Sequence, residues 1–193
     1  ANAETPRDLL REVSAASGRA PVVALPAEVR VAGLDKTTGL PLGATTLVEV
    51  LDWHVLTHPD RPHMVFLDED NNENELTYGE LRQRGREVAQ GLRERGVAPG
   101  DTVAIMLPTG LDFFYAFFGI LIAGATPVPI YPPARLSQLE DHLRRQAGIL
   151  ANARVKVMAT VSQAKPLARF LKAKVRELEH VETVTDLRQE FPD

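Results

Sequence analysis

The sequence has 193 residues, of which 44% are apolar and 25% charged, and this composition argues against a wholly disordered or fibrous protein. Its 22 basic and 26 acidic residues give a net charge of −4, whereas a general nucleic-acid-binding protein is usually basic. The absence of cysteine excludes disulfide scaffolds, thiolate metal sites and cysteine nucleophiles.

The first 45 residues differ from the rest of the chain. They are rich in Gly, Pro, Thr and Ala, which is typical of a linker or an irregular arm. We therefore predict an N-terminal arm or linker over residues 1–45 and an α/β subdomain over residues 46–193. Because cysteine is absent, and because residues 1–10 hold an acid and a proline where a signal peptide has an apolar core, we expect a cytoplasmic protein.

The regular pattern begins with a predicted helix over residues 47–57. Its expected inward residues share helical spacing: Leu47, Val50, Leu51 and Val55. Residues 63–67 read as a strand, residues 68–74 as a polar turn, and a second short strand is expected near Leu76. Together these segments predict a β-hairpin.

A second helix is predicted to open at Thr77. Thr77 and Glu80 have the spacing of a capping box, in which each side chain satisfies a backbone N–H at the helix start. An apolar stripe at helical spacing follows: Leu81, Gly85, Val88 and Leu92. Gly96 is the stop signal.

Strands and helices then alternate to the end of the chain. Strands are predicted over residues 102–107, 126–131, 155–160 and 181–185, and helices over residues 111–123, 137–151 and 165–178. The helix over 137–151 is expected to turn four residues to one face: Leu139, Leu143, Ala147 and Leu150. The last helix is expected to bury Leu167, Leu171 and Val175. This alternation predicts right-handed βαβ units and an α/β fold with a mostly parallel sheet and flanking helices.

Residues 113–134 contain no charge and are long enough to cross a membrane. Gly124 and four prolines break the second half of this run. We predict a buried helix followed by a buried parallel strand, and no membrane span.

The histidines offer little evidence of metal chemistry. His54 and His58 are one helical turn apart and have the spacing of two metal ligands, but no third ligand is evident. We predict surface histidines and no metal site. The sequence also lacks the GxGxxG, GxxxxGK[ST], GxSxG and HExxH patterns, so we assign no catalytic residue.

Three loops follow predicted parallel strands, where such sheets bind ligands. In the first, residues 108–110, Thr109 is expected to cap the next helix. In the second, residues 131–135, we single out Tyr131, Pro132 and Arg135 as candidate substrate-binding residues, since two prolines hold an aromatic ring and a cation on a rigid segment. The third is residues 161–163. A turn or cap role competes with ligand contact in each loop.

Four cations on the last predicted helix share one face and are candidate partner-binding residues: Lys165, Arg169, Lys172 and Arg176. Such a stripe either docks an acidic partner or forms the solvated face of an amphipathic helix.

From Thr46 onward the sequence resembles the N-terminal part of adenylate-forming enzymes. The matching segments are LTYGELRQRGREVAQGLRERGVAPGDTVAIMLP and GLDFFYAFFGILIAGATPVPIYPPA, and the second is most similar to fatty acyl-AMP ligases. The Ser/Thr/Gly-rich phosphate loop with its lysine, the ribose-binding aspartate and the catalytic lysine of these enzymes are not found in the sequence.

The resemblance implies an incomplete N-terminal subdomain. Its parent would use ATP and Mg²⁺ to convert a fatty acid to acyl-adenylate and then transfer the acyl group to an acyl carrier protein. For the fragment alone we expect no cofactor, no adenylation and a tendency to self-associate. A long-chain acyl-CoA synthetase fragment and a non-catalytic interaction module remain alternatives.

Overall fold

A four-stranded parallel sheet and a two-stranded hairpin organise the part of the chain that the computed structural model describes, namely residues 39–67, 72–131 and 139–188. All of these residues belong to one unit, Thr37–Asp193. The predicted α/β class with a parallel sheet and flanking helices is confirmed. Residues 1–38 of the predicted arm lie outside the described residues, and the boundary at residue 45 stays a prediction.

The strands, in chain order, are β1 (Pro62–Leu67), β2 (Glu73–Thr77), β3 (Thr102–Met106), β4 (Thr126–Pro129), β5 (Val157–Thr160) and β6 (His180–Glu182). The helices are α1 (Leu47–Thr57), α2 (Tyr78–Glu94), α3 (Leu111–Ile122), α4 (Leu139–Asn152), α5 (Lys165–Lys174) and α6 (Val184–Leu187). A 3₁₀ turn, Ser162–Ala164, precedes α5.

The parallel sheet has the strand order β4-β3-β5-β6. Its two central strands are buried on both faces, which explains why their sequences are nearly continuous apolar runs. Alternate side chains enter two cores: Val103 and Ile105 face the core shared with α2 and α3, while Ala104 and Met106 face the core shared with α4 and α5.

Strand β4 forms one end of this sheet. The amides of Thr126 and Ile130 donate inward to the carbonyls of Asp101 and Ile105, at N···O distances of 2.8 and 2.9 Å, so the alternate positions face outward. Both outward positions, Pro127 and Pro129, are prolines and have no N–H to offer. A proline-bearing strand of this kind fits the edge of a sheet.

The predicted hairpin is confirmed. β1 and β2 are antiparallel, with Leu67 opposite Glu73 and Val65 opposite Glu75. Residues 68–71 of the predicted turn lie outside the described residues.

The predicted stripe on α2 is confirmed and packs closely on α3. A Cβ added to Gly119 on α3 would lie 2.6 Å from the Cβ of Val88, and one added to Gly85 would lie 2.9 Å from Ile122. On the same helix, a Cβ on Gly91 would lie 1.9 Å from the carbonyl oxygen of Leu187 on α6. Glycine on α2 therefore permits two helices to approach its backbone.

Two predictions near element ends are wrong. Leu47 is 56% exposed, because a side chain in the first helical turn leans back over the N-cap, here Thr46, and away from the following residues. Residues 184 and 185 form the start of α6 instead of the end of a strand. The Thr183 hydroxyl accepts a hydrogen bond from the amide of Asp186, and the Asp186 carboxylate accepts one from the amide of Thr183. This helix cap prevails over the preference of the β-branched residues here for a strand.

Helix α5 is shorter than expected. It ends at Lys174, because Val175 is extended, and a turn brings Leu178 into the core beside Val175 and Leu171. The side chains of Leu139 and Leu167, which were expected inward, lie outside the described residues. In α4 the inward face is confirmed for Leu150, which is fully buried.

The uncharged run splits into α3 and β4, separated by Gly124 at a φ of +80°. Across the described ranges, no helix has both the length and the apolarity that a membrane span requires.

Candidate functional site

A cleft of about 440 Å³ opens at the carboxyl ends of β3 and β5. Parallel sheets bind ligands at this edge. The first and third predicted loops meet there, since Pro108–Gly110 and Val161 both line it. The other lining residues come from the hairpin and from the ends of β3 and α3: Phe66, Leu67, Asn74, Leu107, Leu111 and Asp112.

Thr109 does not cap α3, contrary to the sequence-based expectation. The N-cap is Gly110, and no side chain accepts a hydrogen bond from the first amides of the helix. Gly110 is in extended backbone (φ 170°), and its carbonyl accepts from the amide of Phe113 at 3.1 Å. Thr109 therefore keeps its hydroxyl free of capping and lines the cleft.

The hairpin wall of the cleft was not predicted. Phe66 and Leu67 on β1, with Asn74 on β2, line the cleft, and the Phe66 ring lies 5.5 Å from that of Phe114 on α3. The hairpin is a separate antiparallel pair, so strand periodicity gives no information on where it packs against the parallel sheet. The partial signal was Phe66 itself, an aromatic residue beside a polar turn.

Asp112 is the only charged residue among the described residues that line the cleft. Its surface is exposed, yet desolvation by the surrounding wall raises its pKa, against the opposing effect of Arg188. A carboxylate in this position repels polyphosphate. The residues present in the cleft therefore do not fit ATP or its Mg²⁺ complex, which needs cations and several oxygen ligands.

A partly buried charge network joins α2 to the end of α6. Glu87 is 5% exposed and accepts from Arg84 at 3.2 Å and from Arg188 at 2.9 Å. Burial acts to raise the pKa of Glu87, but the hydrogen bonds from Arg188 and Arg84 outweigh it, so the pKa lies below its usual value. The pairing makes Arg188 a link between α2 and the segment after α6.

The capping box predicted at Thr77 is half formed. Thr77 Oγ1 accepts from the amide of Glu80 at 3.1 Å, but the Glu80 carboxylate accepts from the hydroxyl of Tyr115, at 3.4 Å, instead of returning to the cap. Burial and the Glu80 charge both raise the pKa of Tyr115, which stays a neutral donor. This contact joins α2 to α3.

Of the three candidate substrate-binding residues, the structure describes Tyr131 only. Tyr131 is 83% exposed, its carbonyl accepts from His142 Nε2 at 2.9 Å, and it does not line the cleft. Pro132 and Arg135 lie outside the described residues. The second loop therefore stays a prediction as a ligand-binding segment.

The four cations of the predicted stripe divide into two groups. Lys165 Nζ lies 2.6 Å from Asp186, and Lys172 Nζ donates to the carbonyl of Glu179, so both hold α5 to the chain that follows it. The hydrogen bond from Lys165, with those of Thr183, lowers the pKa of Asp186 to about 2. Arg169 is exposed on the helix, whereas Arg176 lies beyond its end and does not share its face.

His54 and His58 contact each other, with 2.6 Å between Nδ1 and Nε2. Tyr78 stacks on His54, with ring centroids 4.1 Å apart, and also contacts His63. Burial lowers the pKa of all three histidines, and Arg61 adds to this effect at His54 and His58. Within the described ranges, no group of three or more candidate ligands is placed to hold a metal ion.

Comparison with known proteins places these observations in a family. Residues 51–192 match the model of the AMP-binding enzyme family. The chain is 42% identical over 88 residues to Disco-interacting protein 2 of Drosophila melanogaster, covering 44% of this chain and 5% of that protein. It is 34% identical over 138 residues to a salicyl-AMP ligase / salicyl-S-ArCP synthetase of Mycobacterium tuberculosis, covering 70% of this chain and 24% of the relative.

A solved structure from a study of fatty acyl-adenylate ligases of E. coli and L. pneumophila superposes with a TM-score of 0.67 and 28% identity, over 74% of this chain and 25% of that chain. The present chain thus spans a quarter or less of the length of these relatives. The family model covers well over half of it, and the resemblance noted in the sequence is confirmed. The chain belongs to the AMP-binding family of adenylate-forming enzymes.

Proposed function

We propose that this chain is the N-terminal part of an enzyme that activates a fatty acid and transfers it to an acyl carrier protein. A fatty acid carboxylate would attack the α-phosphorus of ATP, releasing pyrophosphate and leaving acyl-adenylate. The carrier thiol would then attack the acyl carbon, form a thioester and release AMP. The observation that carries the proposal is the match to the fatty acyl-adenylate ligase over 74% of this chain.

The cleft supports a role in holding the acid and not the nucleotide. Most of its lining is apolar, with Phe66, Leu107 and Leu111 among the contributors, and this suits the hydrocarbon part of an acyl substrate. Asp112 disfavours a polyphosphate in the same place. ATP, and the Mg²⁺ that offsets its charge, would be held by residues outside this chain.

We expect the 193-residue chain alone to form no acyl-adenylate, because the described residues that line the cleft offer no set of cations and amides for a triphosphate. The test is fatty-acid-dependent exchange of labelled pyrophosphate into ATP, run on this chain and on the full-length protein that contains it. Exchange by the full-length protein only is the expected result. Exchange by the isolated chain would refute the proposal that ATP is held by residues outside this chain.

The same assay separates related substrates. An aromatic acid such as salicylate is the competing class, because the salicyl-AMP ligase relative is 34% identical over 70% of this chain. If salicylate drives exchange and fatty acids do not, the substrate is an aromatic acid and the fatty acid in the proposal is wrong. The acceptor is identified in a separate assay of the thioester product, in which formation of acyl-CoA in place of acyl-carrier product would favour the acyl-CoA synthetase alternative.

A non-catalytic interaction module is the second candidate. It is favoured by the 42% identity to a protein that is itself named as an interacting protein. A full-length protein without pyrophosphate exchange on any carboxylic acid, but with a stable protein complex, would support this alternative.

A further inference from the structure

The cleft has a small polar part in an otherwise apolar lining. Among the described residues that line it, the polar side chains are those of Asn74, Thr109 and Asp112. Thr109 precedes α3, and Asp112 lies in the first turn of that helix, three residues further along the chain. Asn74 lies on β2, and its amide nitrogen donates to the carbonyl of Asn72 at 3.4 Å. Thr109 and Asp112 are therefore the polar side chains whose role needs an explanation.

Neither of these two side chains has a partner among the described residues. The Thr109 hydroxyl does not cap α3 and forms no hydrogen bond with another described residue. The Asp112 carboxylate forms no hydrogen bond or ion pair within the same ranges. Arg188 acts on the pKa of Asp112 through its charge, but its guanidinium Nε donates to Glu87 at 2.9 Å. Two polar groups thus line the cleft with a hydrogen-bonding capacity that the described part of the chain does not use.

A ligand that fills the cleft has to satisfy both groups. A plain hydrocarbon tail would displace water from Thr109 and Asp112 and offer no hydrogen bond in return, which weakens binding. A site with polar groups of this kind binds a substrate that supplies the matching group and discriminates against the analogue that lacks it. The pair therefore selects for an acyl chain with one polar group along its apolar length.

We propose that the acyl substrate carries a hydroxyl on its hydrocarbon tail and that Thr109 and Asp112 bind this hydroxyl. The hydroxyl donates to the Asp112 carboxylate, and its oxygen accepts from the hydroxyl of Thr109. The hydrocarbon lies against the apolar lining, which includes Phe66, Leu107 and Leu111. The proposal rests on the proposed function and deepens it by naming hydroxylated fatty acids as the substrate class.

The charges near the cleft favour a hydroxyl over a charged group on the tail. A second carboxylate would be repelled by Asp112, which lines the cleft. An ammonium would be attracted by Asp112 but opposed by the charge of Arg188, which acts on the same carboxylate. An ammonium can also only donate, whereas a hydroxyl both donates to the carboxylate and accepts from Thr109.

The test measures fatty-acid-dependent pyrophosphate exchange by the full-length protein. Dodecanoate is compared with a series of dodecanoates that carry one hydroxyl, placed at each carbon from the middle of the chain to its end. The value of kcat/KM for the best hydroxylated acid should exceed that for dodecanoate about tenfold, because only the hydroxylated acid replaces the hydrogen bonds to water.

Two variants assign this preference to the cleft. Thr109→Val replaces the hydroxyl by a methyl group, Asp112→Leu removes the carboxylate, and each should lower the tenfold ratio to about twofold. Thr109→Ser retains a hydroxyl and should retain the ratio. Thr126→Val, at an exposed position on β4 outside the cleft, is the matched control and should also retain it.

If dodecanoate is used as well as every hydroxylated isomer, the hydroxyl is overturned and the proposed function stands. A preference that persists in both Thr109→Val and Asp112→Leu overturns the assignment to these residues. Better use of ω-aminododecanoate than of every hydroxylated isomer overturns the hydroxyl in favour of an amine. Absence of exchange with any of these acids refutes the proposed function first. If Asp112→Leu loses exchange on every acid, Thr109→Val decides, since it changes one exposed side chain in a loop.

Discussion

Arg154 occupies the position that glycine holds at the ends of two other helices. After α2, α3 and α4 the chain makes the same pair of hydrogen bonds, for example Val97 N to Leu92 O and Val155 N to Leu150 O. The residue in the left-handed conformation is Gly96 (φ +76°) after α2 but Arg154 (φ +53°) after α4. Only the arginine pays a steric penalty for that conformation.

We expect Arg154→Gly to raise the free energy of unfolding by about 0.5–1 kcal/mol. Relief of the left-handed strain, about 1–2 kcal/mol, exceeds the extra unfolded-state entropy of glycine, about 0.5–1 kcal/mol. Gly96→Ala is the reciprocal control and should lower the free energy of unfolding by about 1 kcal/mol. Nothing lies within 4 Å of the added Cβ, so the change comes from the strain of a left-handed alanine. Urea denaturation measures both. A loss of stability in Arg154→Gly would mean that the arginine side chain makes a stabilising contact.

At the scale of elements, the histidine cluster joins the C-terminal end of α1 to β1 and the start of α2. The pKa values of His54, His58 and His63 lie below the usual 6.5 in the folded state. As pH falls through 6.5, the unfolded chain therefore binds protons before the folded one does. The free energy of unfolding must decrease over that window and is insensitive to these groups above it.

We expect His54→Gln/His58→Gln to reduce the loss of stability between pH 7 and pH 5. Glutamine keeps a polar side chain but does not titrate, so the protons that destabilise the fold are no longer taken up. Urea midpoints at several pH values measure the effect. Leu56→Gln, at an exposed position on the same helix, is the control, and its stability should depend on pH in the same way as that of the wild type. Identical pH dependence in the double variant and the wild type would contradict the lowered pKa values.

Helix α6 approaches α2 closely because Gly91 on α2 has a hydrogen atom where other residues have a Cβ. We expect Gly91→Ala to lower the free energy of unfolding by about 2 kcal/mol, since its Cβ overlaps the Leu187 carbonyl and the backbones must separate. Gly148→Ala, on α4 with nothing within 4 Å, is the matched control and should stabilise by up to about 1 kcal/mol. Equal stability of the two variants would show that α6 does not pack against α2 as described.

At the scale of the whole molecule, the sequence predicted the order of elements well because each one carries its own periodicity. The α2 stripe and the buried strands β3 and β5 are examples. Failures occurred where a local contact competes with periodicity, as at Thr183, or where a helix start has no neighbour, as at Leu47. The hairpin side of the cleft was missed because Phe66 reaches the cleft through tertiary packing alone.

The outward prolines of β4 have a consequence for how the protein is made. During synthesis the N-terminal portion leaves the ribosome first and folds while the rest is still being translated. A nascent sheet with open N–H groups along its border would pair with strands of neighbouring nascent chains on the same message. Pro127 and Pro129 present carbonyls but no donors, so regular strand addition there is blocked and misassembly on polysomes is suppressed along that border.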